Sequence, residues 1–127
     1  MGVHTTQFAI REVGLYEPVL ALAMRTAREW LPLGGARPLV MIAGLAGRTA
    51  QALQEARIAR GLGYHAGLVS LAALKGASED ELIAHCEAVA AEMPLVGFYL
   101  QPAVGGLHLP TSFWRRFASI DNVVAIK

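Results

Sequence analysis

The chain has 127 residues, a formal net charge of +1 and a composition that is 54% hydrophobic. So apolar a composition excludes intrinsic disorder, and charges of both signs scattered along the chain exclude the basic stripe of a nucleic-acid-binding protein. The sequence contains no apolar run near the roughly 20 residues that a membrane-spanning helix needs, so neither nucleic acid nor a membrane is expected as a partner.

Two features of the sequence bear on the cellular compartment. The N-terminus has no basic segment followed by an apolar one, which is the pattern of a secretory signal. Cys86 is the single cysteine, so no disulfide can form within the chain. Both features are typical of a reducing environment, and we expect a cytoplasmic protein.

Short, continuously apolar segments bounded by Gly, Pro, Asn or Asp recur at nearly regular intervals. Such segments are typical of strands that are covered on both faces in a parallel sheet. A partial strand over residues 2–6 comes first in the chain. Four further strands are predicted over residues 39–43, 66–70, 95–99 and 123–126.

Helical patterns fill the intervals between these strands. The first helix is predicted over residues 16–30, with a buried face formed by Val19, Leu22, Ala23, Thr26 and Trp30. The others are predicted over residues 49–62, from 78 to about 92, and over 110–119. Ser78 and Glu81 have the spacing of a capping box, which marks the start of the third helix.

Strands that alternate with helices predict an α/β fold with a parallel sheet. Two architectures fit this order, a doubly wound flavodoxin-like sheet and a (β/α)8 barrel. A complete barrel has about 250 residues, so in the second case residues 1–127 form a single, incomplete barrel domain. The apolar strand at the C-terminus favours this second case, because natural domains rarely leave a hydrophobic edge unpaired. Such edges also favour association into a homo-oligomer.

Polar residues that follow the predicted strands are the candidates for chemistry, because α/β folds place their sites at the carboxyl ends of strands. Lys127 closes an otherwise apolar strand. An apolar pocket favours the neutral lysine amine, which can attack a ketone and form an imine. Tyr99 ends a neighbouring strand, and its hydroxyl could move the protons that this reaction requires. Thr5 and Thr6 could hold a carboxylate through hydroxyl and backbone N–H groups.

The order and spacing of these residues resemble the dihydrodipicolinate synthase and N-acetylneuraminate lyase family. That family has a Thr-Thr pair after its second strand, an Ala-Gly turn after the third, Tyr-x-x-Pro after the fifth and a lysine that ends the sixth. The matching segments here are His4-Thr5-Thr6-Gln7, Ile42-Ala43-Gly44, Tyr99-Leu100-Gln101-Pro102 and Asn122-Val123-Val124-Ala125-Ile126-Lys127. The resemblance covers nearly the whole chain and implies part of a TIM barrel, from about the end of strand two to strand six.

The resemblance also implies a role for each matching residue. Lys127 would be the Schiff-base lysine, Tyr99 the proton-relay tyrosine and Thr5 the relay threonine. Thr6 would help to hold the keto-acid carboxylate through its backbone. The implied activity is that of a carbon–carbon lyase or synthase performing reversible aldol chemistry on pyruvate or another small-molecule 2-oxo acid. The family performs it without a metal or an organic cofactor, and the four histidines here show no metal-ligand spacing.

Three departures separate the chain from a dihydrodipicolinate synthase proper. Gln7-Phe8 replaces the usual Gly-Glu, and the stretch from Ser70 to Leu74 has no tyrosine. Residues 103–106, directly after Pro102, supply no arginine to bind a second carboxylate. The sequence therefore favours a divergent aldolase. An incomplete or divergent non-catalytic homologue is one alternative, because without further strands nothing excludes water from Lys127. A flavodoxin-like small-molecule-binding domain is the other.

Overall fold

The computed structural model describes residues 2, 7–31 and 38–127. Four helices alternate with four strands: α1 (Tyr16–Trp30), β1 (Ile42–Leu45), α2 (Thr49–Leu62), β2 (Ala66–Val69), α3 (Glu79–Ala90), β3 (Leu95–Gly97), α4 (Thr111–Ala118) and β4 (Val123–Ile126). Short 3-10 turns at Phe8–Arg11, Ala72–Leu74 and Pro102–Val104 lie in the connections. Among the described helices, none is both long enough and apolar enough to cross a membrane.

The four strands are parallel and pair in the order β1-β2-β3-β4. Ile42 pairs with Ala66 at the start of β1 and β2, and Gly97 pairs with Ile126 at the end of β3 and β4. Each strand therefore lies beside the one that precedes it in the chain, and all carboxyl ends meet at one edge of the sheet. This sequential order is that of a (β/α) barrel and differs from the flavodoxin-like order, which reverses direction at a switch point.

The two faces of the sheet are covered differently. The face that carries Leu45, Val69 and Leu95 packs against the helices and forms the main hydrophobic core, which includes the buried rings of Phe113 and Phe117. On the opposite face, a smaller cluster is formed by Ala66, Leu68 and Val96, with Phe8, Ile42 and Phe98 packed against it. In a (β/α) barrel the helices lie outside, so this cluster belongs to the inner face.

Local sequence signals account for several element boundaries. Ser78 Oγ accepts a hydrogen bond from the Glu81 backbone N–H, and the Glu81 carboxylate accepts one from the Ser78 backbone N–H, so the predicted capping box is confirmed. Gly63 ends α2 with a φ of 91°, a conformation that glycine adopts without strain. Gly97 is required for a different reason, since a Cβ there would lie 2.7 Å from Phe117 Cε1 of α4.

Two predicted strand boundaries were wrong. The strand predicted over residues 39–43 begins at Ile42, and Leu39 and Val40 are exposed. Its start is set by pairing with β2, because the Met41 carbonyl accepts a hydrogen bond from the His65 N–H immediately before the paired residues. Likewise, β3 ends at Gly97, two residues before the predicted end. The predicted partial strand over residues 2–6 falls almost wholly outside the described residues.

The buried face of α1 also differs from the prediction. The helix buries Tyr16, Leu20 and Met24, whereas Leu22 and Trp30 are exposed. Both faces of this helix carry apolar residues, so periodicity alone did not decide between them. Hydrogen bonds with distant residues favour the observed face. Tyr16 Oη donates to the Gly44 carbonyl at 2.8 Å, and Tyr64 Oη donates to the Leu20 carbonyl at 3.0 Å.

Candidate functional site

The carboxyl ends of β3 and β4 bring Tyr99 and Lys127 together through the backbone. The Lys127 N–H donates to the Gly97 carbonyl at 2.8 Å, and the Tyr99 N–H donates to the Lys127 carbonyl at 3.1 Å. Parallel pairing therefore continues past the last residues of both strands. Two of the four predicted site residues thus lie next to each other at the edge of the sheet where (β/α) barrels bind their substrates.

The side chains of these two residues contact different layers of the structure. Lys127 Nζ lies 5.2 Å from the centre of the Phe98 ring, which packs against the inner-face cluster. The Tyr99 ring lies 6.2 Å from the ring of Trp114 in α4, in an edge-to-face arrangement. Lys127 is exposed and Tyr99 is 44% exposed. The amine is therefore on the inner face, while the tyrosine ring packs towards the helical layer.

Thr5 and Thr6, the other two predicted site residues, and the neighbouring His4 lie outside the described residues. The residues on either side of this segment are described. Gly2 is buried, and its N–H donates to Gln7 Oε1 at 3.0 Å. This hydrogen bond joins the two described residues that flank the segment in the sequence.

A buried ion pair lies at the carboxyl end of β1. Arg11 Nε is 2.7 Å from Glu55 Oε1, and Arg11 Nη2 is 2.7 Å from Glu55 Oε2. The pair is therefore bidentate, and its side chains are only 11% and 6% exposed. Beside it opens a cleft of about 520 Å³, lined by Phe8, Arg11, Glu12, Tyr16, Gln51, Gln54, Glu55 and Ile58. The pair could not be predicted from the sequence, because its members are separated by 44 positions and belong to no motif.

Tyr16 completes the polar network around this ion pair. The Arg11 guanidinium lies over the Tyr16 ring, 4.7 Å from its centre. Burial, together with the negative charge of Glu55, raises the pKa of Tyr16 above its ordinary value, whereas Arg11 acts in the opposite direction. The phenol is therefore a neutral donor at physiological pH, consistent with its hydrogen bond to the Gly44 carbonyl.

His85 and Cys86 of α3 are both buried. His85 Nδ1 lies 2.9 Å from Thr49 Oγ1, and Nε2 has no hydrogen-bond partner among the described residues. Burial lowers the pKa of His85 and raises the pKa of the Cys86 thiol to about 12. Both side chains are therefore neutral near pH 7, and a protonated thiol is a poor nucleophile. Within the described part of the chain, no three His, Cys, Asp or Glu side chains are grouped to hold a metal ion.

Comparison with solved structures shows which barrel this is. The dihydrodipicolinate synthase of Agrobacterium tumefaciens matches with a TM-score of 0.70 and 28% identity, over 87% of this chain and 37% of that one. The enzyme of Aquifex aeolicus matches with a TM-score of 0.72 and 22% identity, over 88% and 36%. That of Bacillus clausii matches with a TM-score of 0.66 and 17% identity, over 92% and 37%. The fold resembles part of the (β/α) barrel of the dihydrodipicolinate synthases.

The other two comparisons gave no match. No protein-family model matches the sequence, and no curated protein matches it significantly. The chain spans little more than a third of the length of the dihydrodipicolinate synthase structures that it resembles. The predicted fold is thus confirmed as a partial barrel of the dihydrodipicolinate synthase type, whereas the chemistry of its site residues is a separate question.

Proposed function

We propose that this chain is the lysine-bearing part of a lyase or synthase that forms an imine with pyruvate or another 2-oxo acid. The observation that carries the proposal is the position of Lys127. It follows β4 at the carboxyl edge of a partial dihydrodipicolinate synthase barrel, and its amine lies beside the inner face. This is the edge at which barrel enzymes bind their substrates.

The proposed reaction begins with addition of the neutral Lys127 amine to the ketone carbon of the 2-oxo acid. Loss of water then gives the imine, and both steps need proton transfers to and from oxygen and nitrogen. Tyr99 and Thr5 are the proposed proton carriers, and Thr6 is proposed to hold the carboxylate. The backbones of Tyr99 and Lys127 are adjacent, but the Tyr99 ring packs towards Trp114, so a relay through Tyr99 requires its side chain to turn towards the amine. This chemistry requires no metal or organic cofactor.

The exposure of Lys127 supports a second candidate, a homologue that serves in binding or assembly and does not react. An exposed amine lacks the apolar enclosure that favours the neutral, nucleophilic form of a lysine. The two candidates differ in one measurable property, which is whether the Lys127 amine reacts with a ketone.

Borohydride trapping tests this difference directly. The protein is incubated with pyruvate, reduced with borohydride, and analysed by intact mass and peptide mapping. Lys75 and Lys127 are the two lysines of the chain, and both are exposed, so Lys75 is an internal control for non-specific modification. We expect one reduced pyruvate on the C-terminal peptide, and no adduct with lactate, which lacks the ketone. Equal labelling of both lysines would leave only the non-catalytic candidate.

A further inference from the structure

Two successive side chains at the carboxyl end of β3 lie on opposite faces of the sheet. Side chains alternate between the two faces of an extended strand, and the backbone continues its pairing with β4 as far as Tyr99. Phe98 packs against the inner-face cluster, and the Lys127 amine lies beside its ring. The Tyr99 ring instead contacts Trp114 of α4, with ring centres 6.2 Å apart. The phenol that the proposed reaction needs is therefore directed away from the amine.

Trp114 is held in place by two further aromatic rings. Its ring lies 5.1 Å from that of Phe113 and 5.7 Å from that of Phe117, edge to face in both pairs. Phe113 and Phe117 are buried in the main core. Gly97 leaves room for this packing, because a Cβ there would lie 3.1 Å from Trp114 Cζ3. Tyr99, which is 44% exposed, thus contacts the outside of a packed aromatic cluster.

The backbone around Tyr99 is fixed, so its side chain is the part that can turn. The Leu100 N–H donates to the Phe98 carbonyl at 3.0 Å, which closes a three-residue turn around Tyr99. Gly106 packs directly on this turn, since a Cβ there would overlap the Leu100 carbonyl. A rotation of the Tyr99 side chain between staggered rotamers is therefore the movement that would carry the phenol over the edge of the sheet towards Lys127.

We propose that Trp114 is a positioning residue, which holds Tyr99 in a resting position against α4 until a 2-oxo acid draws the phenol towards Lys127. This inference rests on the proposed function, in which Tyr99 carries protons while the amine and the ketone combine to give the imine and water. Tyr99 ends that step in the protonation state in which it began. The bound 2-oxo acid provides the differential interaction that the movement requires, because its oxygen atoms can bind the phenol in the turned position.

The size of the expected effect follows from the strength of the ring contact. An edge-to-face aromatic pair favours the paired arrangement by about two- to tenfold in an equilibrium constant. Loss of the Trp114 ring should raise the fraction of molecules with Tyr99 turned by the same factor. Since only the turned form is competent, the rate of imine formation should rise with that fraction.

The first experiment observes Tyr99 without any reaction. The chain has three tyrosines, and Tyr16 and Tyr64 are buried and bound to backbone carbonyls, so their ring signals are internal references. In the NMR spectrum of tyrosine-labelled protein, the ring current of Trp114 should displace the Tyr99 signals, and W114L should abolish this displacement. W30L removes the ring of Trp30, which is 70% exposed, and should leave the signals of all three tyrosines unchanged.

The second experiment measures the rate of pyruvate adduct formation on Lys127, by quenching with borohydride at successive times. W114L should raise this rate about two- to tenfold, whereas W30L should match the wild type. Y99F/W114L should be no faster than Y99F, because Trp114 acts through Tyr99; a purely structural role would not produce this dependence. W114F keeps a ring against Phe113 and Phe117 and should give a smaller rise. It replaces W114L if that variant does not fold.

The outcomes separate failure of this inference from failure of the proposed function. A wild-type adduct whose rate is not raised in W114L or W114F overturns the positioning role alone. A rise that persists in the Y99F background overturns it as well, and so do Tyr99 signals that are identical in the wild type and W114L. If no variant forms an adduct on Lys127, the proposed function fails, and the positioning role fails with it.

Discussion

The carboxyl end of β1 and the carboxyl ends of β3 and β4 lie at one edge of the sheet, but their polar groups have different surroundings. At β1 the Arg11 and Glu55 side chains are 11% and 6% exposed and bind backbone groups of Gly2 and of the end of β1. At β3 and β4, Tyr99 is 44% exposed and Lys127 is exposed as well. At the end of β1 the described residues thus form a complete polar network. At the ends of β3 and β4 they cover Lys127 on one side only.

This contrast bears on how the lysine could be made reactive. A buried network holds its groups in one geometry, whereas an exposed amine is surrounded by water that favours its charged form. The neighbouring aromatic ring of Phe98 provides one apolar wall for Lys127. Among the described residues, Phe98 is the one aromatic ring that contacts the Lys127 amine.

The largest effect is expected from Tyr99→Phe. Loss of a general acid–base group slows the step that it assists by about 10²- to 10⁴-fold, so the rate of pyruvate adduct formation on Lys127 should fall within that range. Stability should change little, since the variant keeps the ring that contacts Trp114. The rate is measured by quenching the trapping reaction at successive times. An unchanged rate would assign Tyr99 to packing against α4 and remove it from the proposed mechanism.

At the β1 end, breaking the ion pair from one side should strongly destabilise the protein. Glu55→Leu leaves the buried guanidinium without its carboxylate and should lower the free energy of unfolding by about 3–5 kcal/mol, measured by urea denaturation. R11M/E55L should recover most of this loss, because it leaves neither charge unpaired. Arg57→Met removes an exposed partner of Glu92 and should cost no more than about 1 kcal/mol. Equal losses for the buried and exposed pairs would contradict the contrast drawn above.

A smaller, pH-dependent effect is expected from His85. Burial lowers the pKa of this side chain in the folded protein, so the unfolded chain binds a proton first as the pH falls. The contribution of neutral His85 to the free energy of unfolding is therefore fully present above pH 6.5. It is lost as the pH falls from there towards the lowered pKa, with a slope of at most about 1.4 kcal/mol per pH unit. Urea denaturation between pH 7.5 and 5.5 measures the slope. H85L should flatten it, and a slope that persists in this variant would assign the effect to other groups.

Much of the fold could be predicted from the sequence because its signals are local. The capping box at Ser78 depends on residues within one helical turn, and it is confirmed. Gly63, which ends α2, is a local signal of the same kind. The start of β1 could not be found in this way, since it is set by pairing with a strand more than twenty positions away. The buried face of α1 was likewise decided by distant partners of its own, the Gly44 carbonyl and the Tyr64 hydroxyl.

In the candidate site, too, local patterns could be predicted from the sequence and contacts between distant segments could not. Lys127 and Tyr99 were recognised because each closes an apolar strand, which is a pattern visible along the chain. The Arg11–Glu55 pair spans 44 positions, and its members look like ordinary surface residues until the fold brings them together. The direction of the Tyr99 ring, towards Trp114 of α4, depends on where β3 ends. Sequence patterns thus located the strand-end residues but not the contacts between distant segments.

Reciprocal replacement of the two lysines tests the central claim most directly. K75R and K127R each keep the positive charge and remove one amine that could form an imine, and both are compared with the wild type by intact mass after reduction with borohydride in the presence of pyruvate. We predict an adduct on the wild type and on K75R and none on K127R. An adduct that persists in K127R, or one that is lost in K75R, would contradict the assignment of Lys127 as the Schiff-base lysine.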